Sequence, residues 1–429
     1  MSGAIPACDS DLMSTAIALL GLVVFIALAW ALSTQRQLFP WRTVISGLGL
    51  QFLLGWLILG TTGGAWFFAQ LDGVFKKLMG FANEGVSMVF GPLANPEILA
   101  RSWGQENTFM VVVTVTGTII LVSAVSSFLY HYGILQWVVR IMAWVMQKLM
   151  GTSGSESLAS AANVFMGQSE APLVIKPYLP TMTPSELLAL MVGGMATIAG
   201  GVMAAYVSFG ISAGHLLTAS FMSAPAALMM AKILMPETQV SETAQGARSS
   251  LPRESVNGID ALCIGASDGM KLAINVMAML IAFVAAVALA NYLISVLLSL
   301  GGIDNPKPLQ TILGWINAPF AWLMGIPWKD CLSIGSILGE RIVLNEFISY
   351  LNLSQLMKTP GALEPRSVTI ATYALCGFAN FASIAIQIGG VGALVPERRT
   401  ELARLGGKAM IGGLLACYST ACVAGIILG

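Results

Sequence analysis

Long apolar runs separated by short polar segments form the main pattern along this chain. A helix that crosses a bilayer needs roughly 20 apolar residues, and eight runs reach that length. The eight predicted transmembrane helices are Met13–Ser33, Thr43–Phe68, Thr108–Tyr130, Ser185–Ser208, His215–Met235, Leu272–Leu300, Val368–Ile388 and Met410–Leu428. The pattern therefore predicts an all-α polytopic membrane protein.

Two other stretches, Ser155–Tyr178 and Lys329–Leu353, consist of short apolar pieces interrupted by polar residues. The first contains the triplet QSE at residues 168–170, and the second contains Glu346 in an otherwise apolar run. Non-helical backbone survives at membrane depth only where protein or a water-filled cavity surrounds it. An ionisable residue at that depth indicates a functional site. We interpret both stretches as re-entrant helical hairpins, with a cytoplasmic loop as the alternative for the first.

The order of elements repeats along the chain. Each hairpin follows an amphipathic, aromatic-rich segment, Gln136–Met150 or Leu309–Ile326, of the kind that lies in the membrane interface. Each hairpin is also followed by two spans, the first of which is interrupted by glycine and polar residues, at 193–201 and at 377–383. Close helix packing is the alternative reason for these glycines. Because one span intervenes, the second series is inverted relative to the first, which is typical of secondary transporters with a site at the midplane.

This repeat divides the chain into four predicted parts. Residues 1–135 hold the first three spans, and residues 136–235 form the first repeat. Residues 236–308 hold a polar cytoplasmic linker and the sixth span. Residues 309–429 form the second repeat.

Basic residues near span ends predict the orientation, because cytoplasmic loops carry an excess of them. Arg36 and Arg42 follow the first span, and a basic cluster at residues 398–408 precedes the last. With eight spans these groups lie on one side of the membrane. We expect that side to be cytoplasmic and both termini to be periplasmic.

Composition agrees with a membrane protein. Of the 429 residues, 56% are hydrophobic and 10% are charged, whereas a soluble domain carries about 25% charge. The 21 basic and 21 acidic residues cancel, so the charge does not indicate a nucleic-acid partner. The six cysteines form no CxxC pair, and most lie in apolar stretches, which predicts neither a disulfide framework nor a zinc site.

Three stretches carry a resemblance to a known family: GQSEAPLVIKPYLPTMTPSELLALMVGGMATIAGGVMAAYVSFGI from residue 167, LNEFISY from residue 344 and ALCGFANFASIAI from residue 374. They resemble the signature stretches of concentrative nucleoside transporters, and the short form with eight spans is similar to the bacterial branch. The resemblance extends through nearly the whole chain. It implies a homotrimer in the bacterial inner membrane, in which each protomer has a scaffold (spans one to three and span six) and a mobile transport domain formed by the two repeats, residues 136–235 and 309–429. The transport domain would carry nucleosides by an elevator-like movement coupled to sodium or protons.

The resemblance also implies a nucleoside site shared by both hairpins. Its polar members are Gln168, Ser169 and Glu170 for the nucleobase, and Glu346, Asn380 and Ser383 for the ribose. Its apolar members are Phe378, Val202 and Leu272. The chemistry fits, since Gln and Ser side chains both donate and accept hydrogen bonds, and an ionised Glu accepts them from ribose hydroxyls.

A sodium site is implied next to the nucleoside. Its ligands would be the Asn163 side chain, the Met166 and Ile198 carbonyls, and the hydroxyl and carbonyl of Thr197. Hard oxygen ligands suit a hard cation, but they do not choose sodium over hydronium. Proton coupling, with a glutamate as the carrier, is therefore the alternative, and helix–helix hydrogen bonding is the alternative role for Asn163 and Thr197.

Three other classes of protein compete with a symporter: an intramembrane enzyme, an ATP-driven pump and a passive channel. Residues 265–269, GASDG, match the GxSxG pattern of a nucleophile elbow, but that motif needs a strand–turn–helix context, and a chance match is favoured. HExxH and GxxxxGK[ST] are absent, so neither a zinc protease nor an ATP-driven pump is predicted. A passive channel is the remaining alternative, and concentrative, saturable uptake would distinguish a symporter from it.

Overall fold

The structure, a computed structural model, describes residues 7–103, 110–247, 255–300 and 308–428. Over these ranges the chain folds into α-helices and short 3-10 turns, which confirms the all-α class. The first eleven helices are α1 Ala7–Ala31, α2 Trp41–Leu59, α3 Thr62–Phe90, α4 Pro96–Trp103, α5 Val111–His131, α6 Ile134–Met150, α7 Gly154–Asn163, α8 Ala171–Val174, α9 Pro184–Ala196, α10 Gly200–Ser208 and α11 Ala213–Leu234. The others are α12 Gly258–Ser299, α13 Pro308–Leu323, α14 Trp328–Val343, α15 Glu346–Lys358, α16 Pro365–Leu375, α17 Phe381–Leu394 and α18 Arg399–Ile427.

Seven helical stretches in the described ranges are long and apolar enough to cross a membrane. They correspond to seven of the eight predicted spans, with α9 and α10 forming one stretch together. The remaining predicted span, Val368–Ile388, is divided between α16 and α17, and neither half is long enough to cross alone. The predicted interruption of this span therefore exists.

The predicted second span, Thr43–Phe68, is wrong at its C-terminal end. Helix α2 ends at Leu59, and the Thr61 hydroxyl accepts a hydrogen bond from the Gly64 amide at 2.9 Å, which caps a new helix. This helix, α3, and the shorter α4 were not predicted. The 29 residues of α3 mix apolar and charged side chains, so a search for apolar runs does not find them.

The predicted sixth span, Leu272–Leu300, is too short. Helix α12 begins at Gly258, where the Asn257 side chain accepts a hydrogen bond from the Asp260 amide at 2.9 Å. Its 42 residues make it about 63 Å long, about twice the ~30 Å hydrocarbon thickness of a bilayer. The polar residues in its first half explain why hydropathy alone places its start too late.

The GASDG match lies inside α12. A Cβ atom on Gly265 would lie 2.6 Å from the Ser123 carbonyl oxygen, and one on Gly269 would lie 2.8 Å from the Ile120 Cα atom. The two glycines therefore allow close approach of α12 to α5. A continuous helix is not the strand–turn–helix of a nucleophile elbow, so the match is a helix-packing motif.

The two predicted repeats have corresponding structures. In each repeat an interfacial helix (α6 or α13) leads into a hairpin (α7–α8 or α14–α15), then a broken span and a long helix. Helix α9 packs against α11 and α18, and the corresponding α16 packs against α18 and α11. This exchange of partners is what an inverted repeat predicts.

The repeats form the core, and α12 lies outside it. In an apolar stretch of 18 residues in α11, 89% of the residues are buried, whereas the corresponding share in α12 is 11%. Helix α12 contacts mainly α5. An apolar helix that is this exposed is stable only against lipid or another protein chain. The division agrees with the predicted assignment of α12 to a scaffold, which stays a prediction.

The described part of the predicted linker, residues 236–247, lies against the base of the first hairpin. The Thr243 carbonyl accepts a hydrogen bond from the Gly154 amide at 2.8 Å, and the Glu237 carboxylate accepts one from the Thr183 hydroxyl at 2.7 Å. Burial raises the pKa of Glu237, but the Lys232 ammonium and the Thr183 hydroxyl outweigh it and lower the pKa below its usual value. Glu237 is therefore ionised at neutral pH.

A buried ion pair lies beneath this linker. The Lys232 ammonium lies 2.8 Å from a Glu156 carboxylate oxygen and 3.3 Å from Glu237, and it donates to the Ser185 hydroxyl at 2.9 Å. Lys232 is 5% and Glu156 1% exposed. The pair joins the start of the hairpin helix α7 to the end of α11.

We predict that Lys232→Met strongly destabilises the protein. The substitution leaves the Glu156 carboxylate buried without its cation, which costs about 3–5 kcal/mol, so the unfolding temperature in detergent should fall clearly. Lys329→Met is the matched control, because Lys329 pairs with Glu364 at 2.6 Å on the surface and exposed pairs contribute little. Equal losses in the two variants would contradict the prediction.

Candidate functional site

The candidate site lies where interrupted helices meet. Asn345 accepts a hydrogen bond from the Ile348 amide at 3.0 Å and begins α15, and Asn380 accepts one from the Ser383 amide at 2.8 Å and begins α17. Helix starts leave backbone N–H groups without partners, and these side chains supply acceptors. The caps hold Glu346 and Ser383 in the first turns of their helices.

The Glu346 carboxylate is hydrogen-bonded through both oxygens. The Asn380 amide donates to one oxygen at 3.0 Å, and the Tyr206 hydroxyl donates to the other at 3.0 Å. Because the Asn380 oxygen caps α17, its nitrogen is left for Glu346. All three side chains are at least 90% buried, so the carboxylate is held by neutral donors in a low-dielectric environment.

Gln168 connects the first hairpin to the second repeat. Its Nε2 donates to the Ser383 hydroxyl oxygen at 3.1 Å, and its Oε1 accepts from Gln387 Nε2 at 3.1 Å. The structure thus brings four of the nine predicted substrate residues, Gln168, Glu346, Asn380 and Ser383, into one buried cluster. Two of the four lie in hairpins of opposite repeats.

The other predicted substrate residues surround this cluster. Ser169 and Glu170 are exposed beside Gln168, and Glu170 lines a cavity of about 380 Å³ together with Leu272. This cavity lies between the first hairpin and helices α5, α10 and α12. Val202 is buried in α10 and Phe378 is half-buried at the α16–α17 break, and neither lines the cavity.

The predicted cation ligands lie where α7 ends and α9 breaks. Asn163 is the last residue of α7, and a Cβ atom on Gly193 of α9 would lie 3.2 Å from its Nδ2. The Thr197 hydroxyl donates to the Gly193 carbonyl at 2.9 Å, and Ile198 is buried in the break. Met166 follows the hairpin helix at the edge of the 380 Å³ cavity.

One observation tests whether these residues suit a cation. The Asn163 Oδ1 atom is buried and has no hydrogen-bond partner among the residues that the structure describes. A buried acceptor without a donor costs about 1–3 kcal/mol, and a hard cation would satisfy it. Since Thr197 directs its proton at Gly193, its oxygen lone pairs are also available to a cation.

Sequence reasoning missed Tyr206, Gln387 and Arg341. Tyr206 and Gln387 contact predicted site residues, and each is polar within an apolar helix, with Gln387 one turn after Ser383. The four-residue spacing of Ser383 and Gln387 places both side chains on one face of a helix, and this signal could have identified Gln387 from the sequence. Arg341 is fully buried in the second hairpin, where it donates to the Ala374 carbonyl and, at 3.2 Å, to the Cys417 sulfur.

An inverted helical repeat, two re-entrant hairpins and a buried polar site at paired helix breaks define a secondary transporter. Three family models match the chain in succession. The model for the Na⁺-dependent nucleoside transporter N-terminus matches residues 20–93, the nucleoside-recognition model matches residues 112–213, and the Na⁺-dependent nucleoside transporter C-terminus model matches residues 215–425.

Relatives match over nearly the full chain. The chain is 41% identical to an uncharacterized transporter of Bacillus subtilis, over 96% of this chain and 98% of that protein. It is 39% identical to solute carrier family 28 member 3 of Mus musculus, over 95% of this chain and 58% of that longer protein. The chain belongs to the concentrative nucleoside transporter family, which confirms the predicted resemblance and the prediction that the protein is a transporter and not an enzyme.

Solved structures share this fold. The transporter CNTnw in an inward-facing, substrate-bound state has a TM-score of 0.90 and 37% identity, and the match covers 97% of this chain and 98% of that one. A variant of CNTnw in an outward-facing state has a TM-score of 0.91 at the same identity and coverage. The similarity confirms the predicted fold class.

Proposed function

We propose that this protein is a secondary active symporter that imports nucleosides down a sodium gradient by an elevator-type movement. The proposal rests chiefly on one observation, the buried cluster in which Gln168 of one repeat meets Ser383, Asn380 and Glu346 of the other. Such a cluster offers donors, acceptors and a carboxylate to a ligand of several hydroxyls and amide-like edges, which is the chemistry of a nucleoside.

The ribose binds in the half of the site that the second repeat supplies. Glu346 accepts hydrogen bonds from ribose hydroxyls, and hydrogen bonds to a charged group contribute about 1.5–3 kcal/mol. Tyr206 and Asn380 hold the carboxylate in place from the other side. Asn380 and Ser383 complete the ribose contacts.

The nucleobase binds in the half that the first hairpin supplies. Gln168 pairs with its polar edge, and Ser169 and Glu170, which are exposed beside it, contact it directly or through water. Phe378, Val202 and Leu272 provide apolar contacts. Leu272 belongs to α12, outside the two repeats, so this contact is made in only part of the transport cycle.

The coupling ion binds next to the nucleoside. Asn163 Oδ1, the Thr197 hydroxyl and carbonyl, and the carbonyls of Met166 and Ile198 are its ligands, and the unpartnered Asn163 oxygen supports this assignment. The cation offsets part of the desolvation of the nearby glutamates. Coupling to protons would instead place the carried charge on Glu170 or Glu346.

The division of the fold into buried repeats and exposed outer helices supports the proposed movement. Both hairpins and both broken spans belong to the buried repeats, while α12 exposes most of its apolar surface. We assign α12 and the first three spans to a static scaffold that forms a homotrimer in the bacterial inner membrane. Both termini lie on the periplasmic face, and the repeats move as one transport domain.

We predict that Asn163→Ala raises the sodium concentration needed for half-maximal uridine uptake by at least about tenfold, because each lost cation ligand weakens binding. Uridine uptake into proteoliposomes with imposed ion gradients is the measurement. Asn317→Ala is the matched control, since Asn317 is also a buried asparagine but donates within α13. If uptake by the parent protein is unchanged when choline replaces sodium at constant pH, sodium coupling is wrong, and a dependence on the proton gradient would identify the proton instead.

A second prediction concerns the movement. A cysteine at Leu173, which faces the cavity between hairpin and scaffold, should be labelled by impermeant maleimide from either side of the membrane during turnover. A cysteine at Ile259, exposed in the first turn of α12, should be labelled from one side only. Both variants need a background without Cys8 and Cys263. Labelling of Leu173→Cys from one side throughout the cycle would reject the elevator assignment.

A third prediction divides the ligand between the repeats. Glu346→Gln should weaken binding of all nucleosides alike and should remove most of the effect of deleting a ribose hydroxyl. Gln168→Ala should instead change the ranking among uridine, cytidine and adenosine, since removing one partner leaves a polar group of the base unpaired at about 1–3 kcal/mol. Competition assays that give the opposite assignment of sugar and base selectivity would overturn the proposed binding pose.

A further inference from the structure

Gln387 is a buried polar residue for which the roles assigned so far give no explanation. It lies in α17, one turn after Ser383, and is 1% exposed. Its Nε2 atom donates two hydrogen bonds, one to the Met191 carbonyl of α9 at 3.0 Å and one to Gln168 Oε1 at 3.1 Å. It therefore joins the helix behind the site to the residue assigned to the nucleobase.

These contacts determine which way the two amides point. A backbone carbonyl can only accept, so Met191 requires the nitrogen of Gln387, and not its oxygen, to face α9. The second hydrogen on that nitrogen then requires Gln168 to present its oxygen. The nitrogen of Gln168 is consequently turned towards the Ser383 hydroxyl, to which it donates at 3.1 Å.

The same chain of hydrogen bonds fixes the direction of the groups that face the substrate. The Ser383 oxygen accepts from Gln168, so the single hydroxyl proton of Ser383 is left to donate outward. Gln168 Oε1 already accepts from Gln387, and one Gln168 N–H is still free. Both side chains therefore keep a hydrogen to donate, which matches acceptors on the substrate, such as a ring carbonyl or ring nitrogen of the base and a ribose oxygen.

The packing around the two glutamines supports a specific role. A Cβ atom at Gly194 of α9 would lie 2.7 Å from Gln387 Nε2 and 2.9 Å from Gln168 Cβ, so α9 leaves room for this pair. The Gln387 Oε1 atom is buried and has no hydrogen-bond partner among the described residues. An unpaired acceptor is unfavourable, and an apolar side chain would fill the same space without that cost.

We propose that Gln387 is a positioning residue that sets the hydrogen-bond direction of the nucleoside site, so that Gln168 and Ser383 act as donors towards the substrate. This inference rests on the proposed roles of those two residues. It makes Gln387 a determinant of base selectivity even though it acts through Gln168 and does not touch the nucleoside.

Two variants test the inference. Gln387→Met keeps the volume but removes both hydrogen bonds, so the Gln168 amide is free to turn either way. Gln387→Glu, when ionised, can only accept, and it therefore favours the opposite direction of the Gln168 amide. Binding of uridine and cytidine to the purified protein measures the effect, because the two bases differ in exchanging a carbonyl acceptor and a ring N–H for an amino donor and a ring acceptor.

We expect Gln387→Met to change the ratio of the uridine and cytidine Kd values by at least about fivefold, and Gln387→Glu to shift it further in the same direction. The double variant Gln168→Ala/Gln387→Met should have the same ratio as Gln168→Ala alone, since Gln387 acts only through Gln168. A merely structural role predicts equal weakening for both nucleosides and additive losses, and either result would overturn the inference.

The controls separate this inference from the proposed function. If Gln168→Ala itself leaves the ratio unchanged, the role of Gln168 in base binding is wrong and the inference falls with it. If Gln168→Ala changes the ratio and neither Gln387 variant does, only the inference about Gln387 is wrong. Unfolding temperature is measured for every variant, and a ratio that changes only in variants with a lowered unfolding temperature counts against a positioning role.

Discussion

Every backbone N–H and C=O group at membrane depth needs a partner, and this constraint decides where the site of this transporter can lie. Spans four and seven break inside apolar sequence, at residues 197–199 and 376–380. At the second break the Asn380 side chain caps the new helix and gives its nitrogen to Glu346. The break is thus stabilised by a side chain that also belongs to the buried cluster, so the same residue closes the helix end and helps to build the candidate site.

Buried charges obey a related constraint. An ionised group away from water is stable only with a counter-charge or several hydrogen bonds. Lys232 has Glu156, and Glu346 has the donors of Tyr206 and Asn380. The two cases differ in their partners. The ion pair joins the base of a hairpin to the helix core, whereas the Glu346 carboxylate is held by neutral donors, one from each repeat.

The two repeats meet in the buried cluster. Gln168 and Ser383 lie 215 residues apart in sequence and meet at 3.1 Å, because helices of the two repeats pack against each other in the core. Both residues belong to the buried repeats, while α5 and α12 form the far wall of the adjoining cavity. The proposed elevator movement requires such an arrangement, because site and ligand then move together against the outer helices.

Apolar runs alone determined most of the architecture, since a bilayer imposes a length of about 20 residues on every crossing helix. The short apolar runs also predicted both hairpins and the broken spans. Polar residues such as Glu346 and residues 168–170 are costly inside the membrane, so their presence there indicates a functional site. Helix α3 and the full length of α12 did not follow from apolarity, because charged residues within α3 and in the first half of α12 dilute the signal. Only the tertiary structure decided the direction of the Gln168 amide. Helical spacing places Gln387 on the same face of its helix as Ser383. The Met191 carbonyl that orients Gln387, however, belongs to the first repeat, whereas Gln387 belongs to the second.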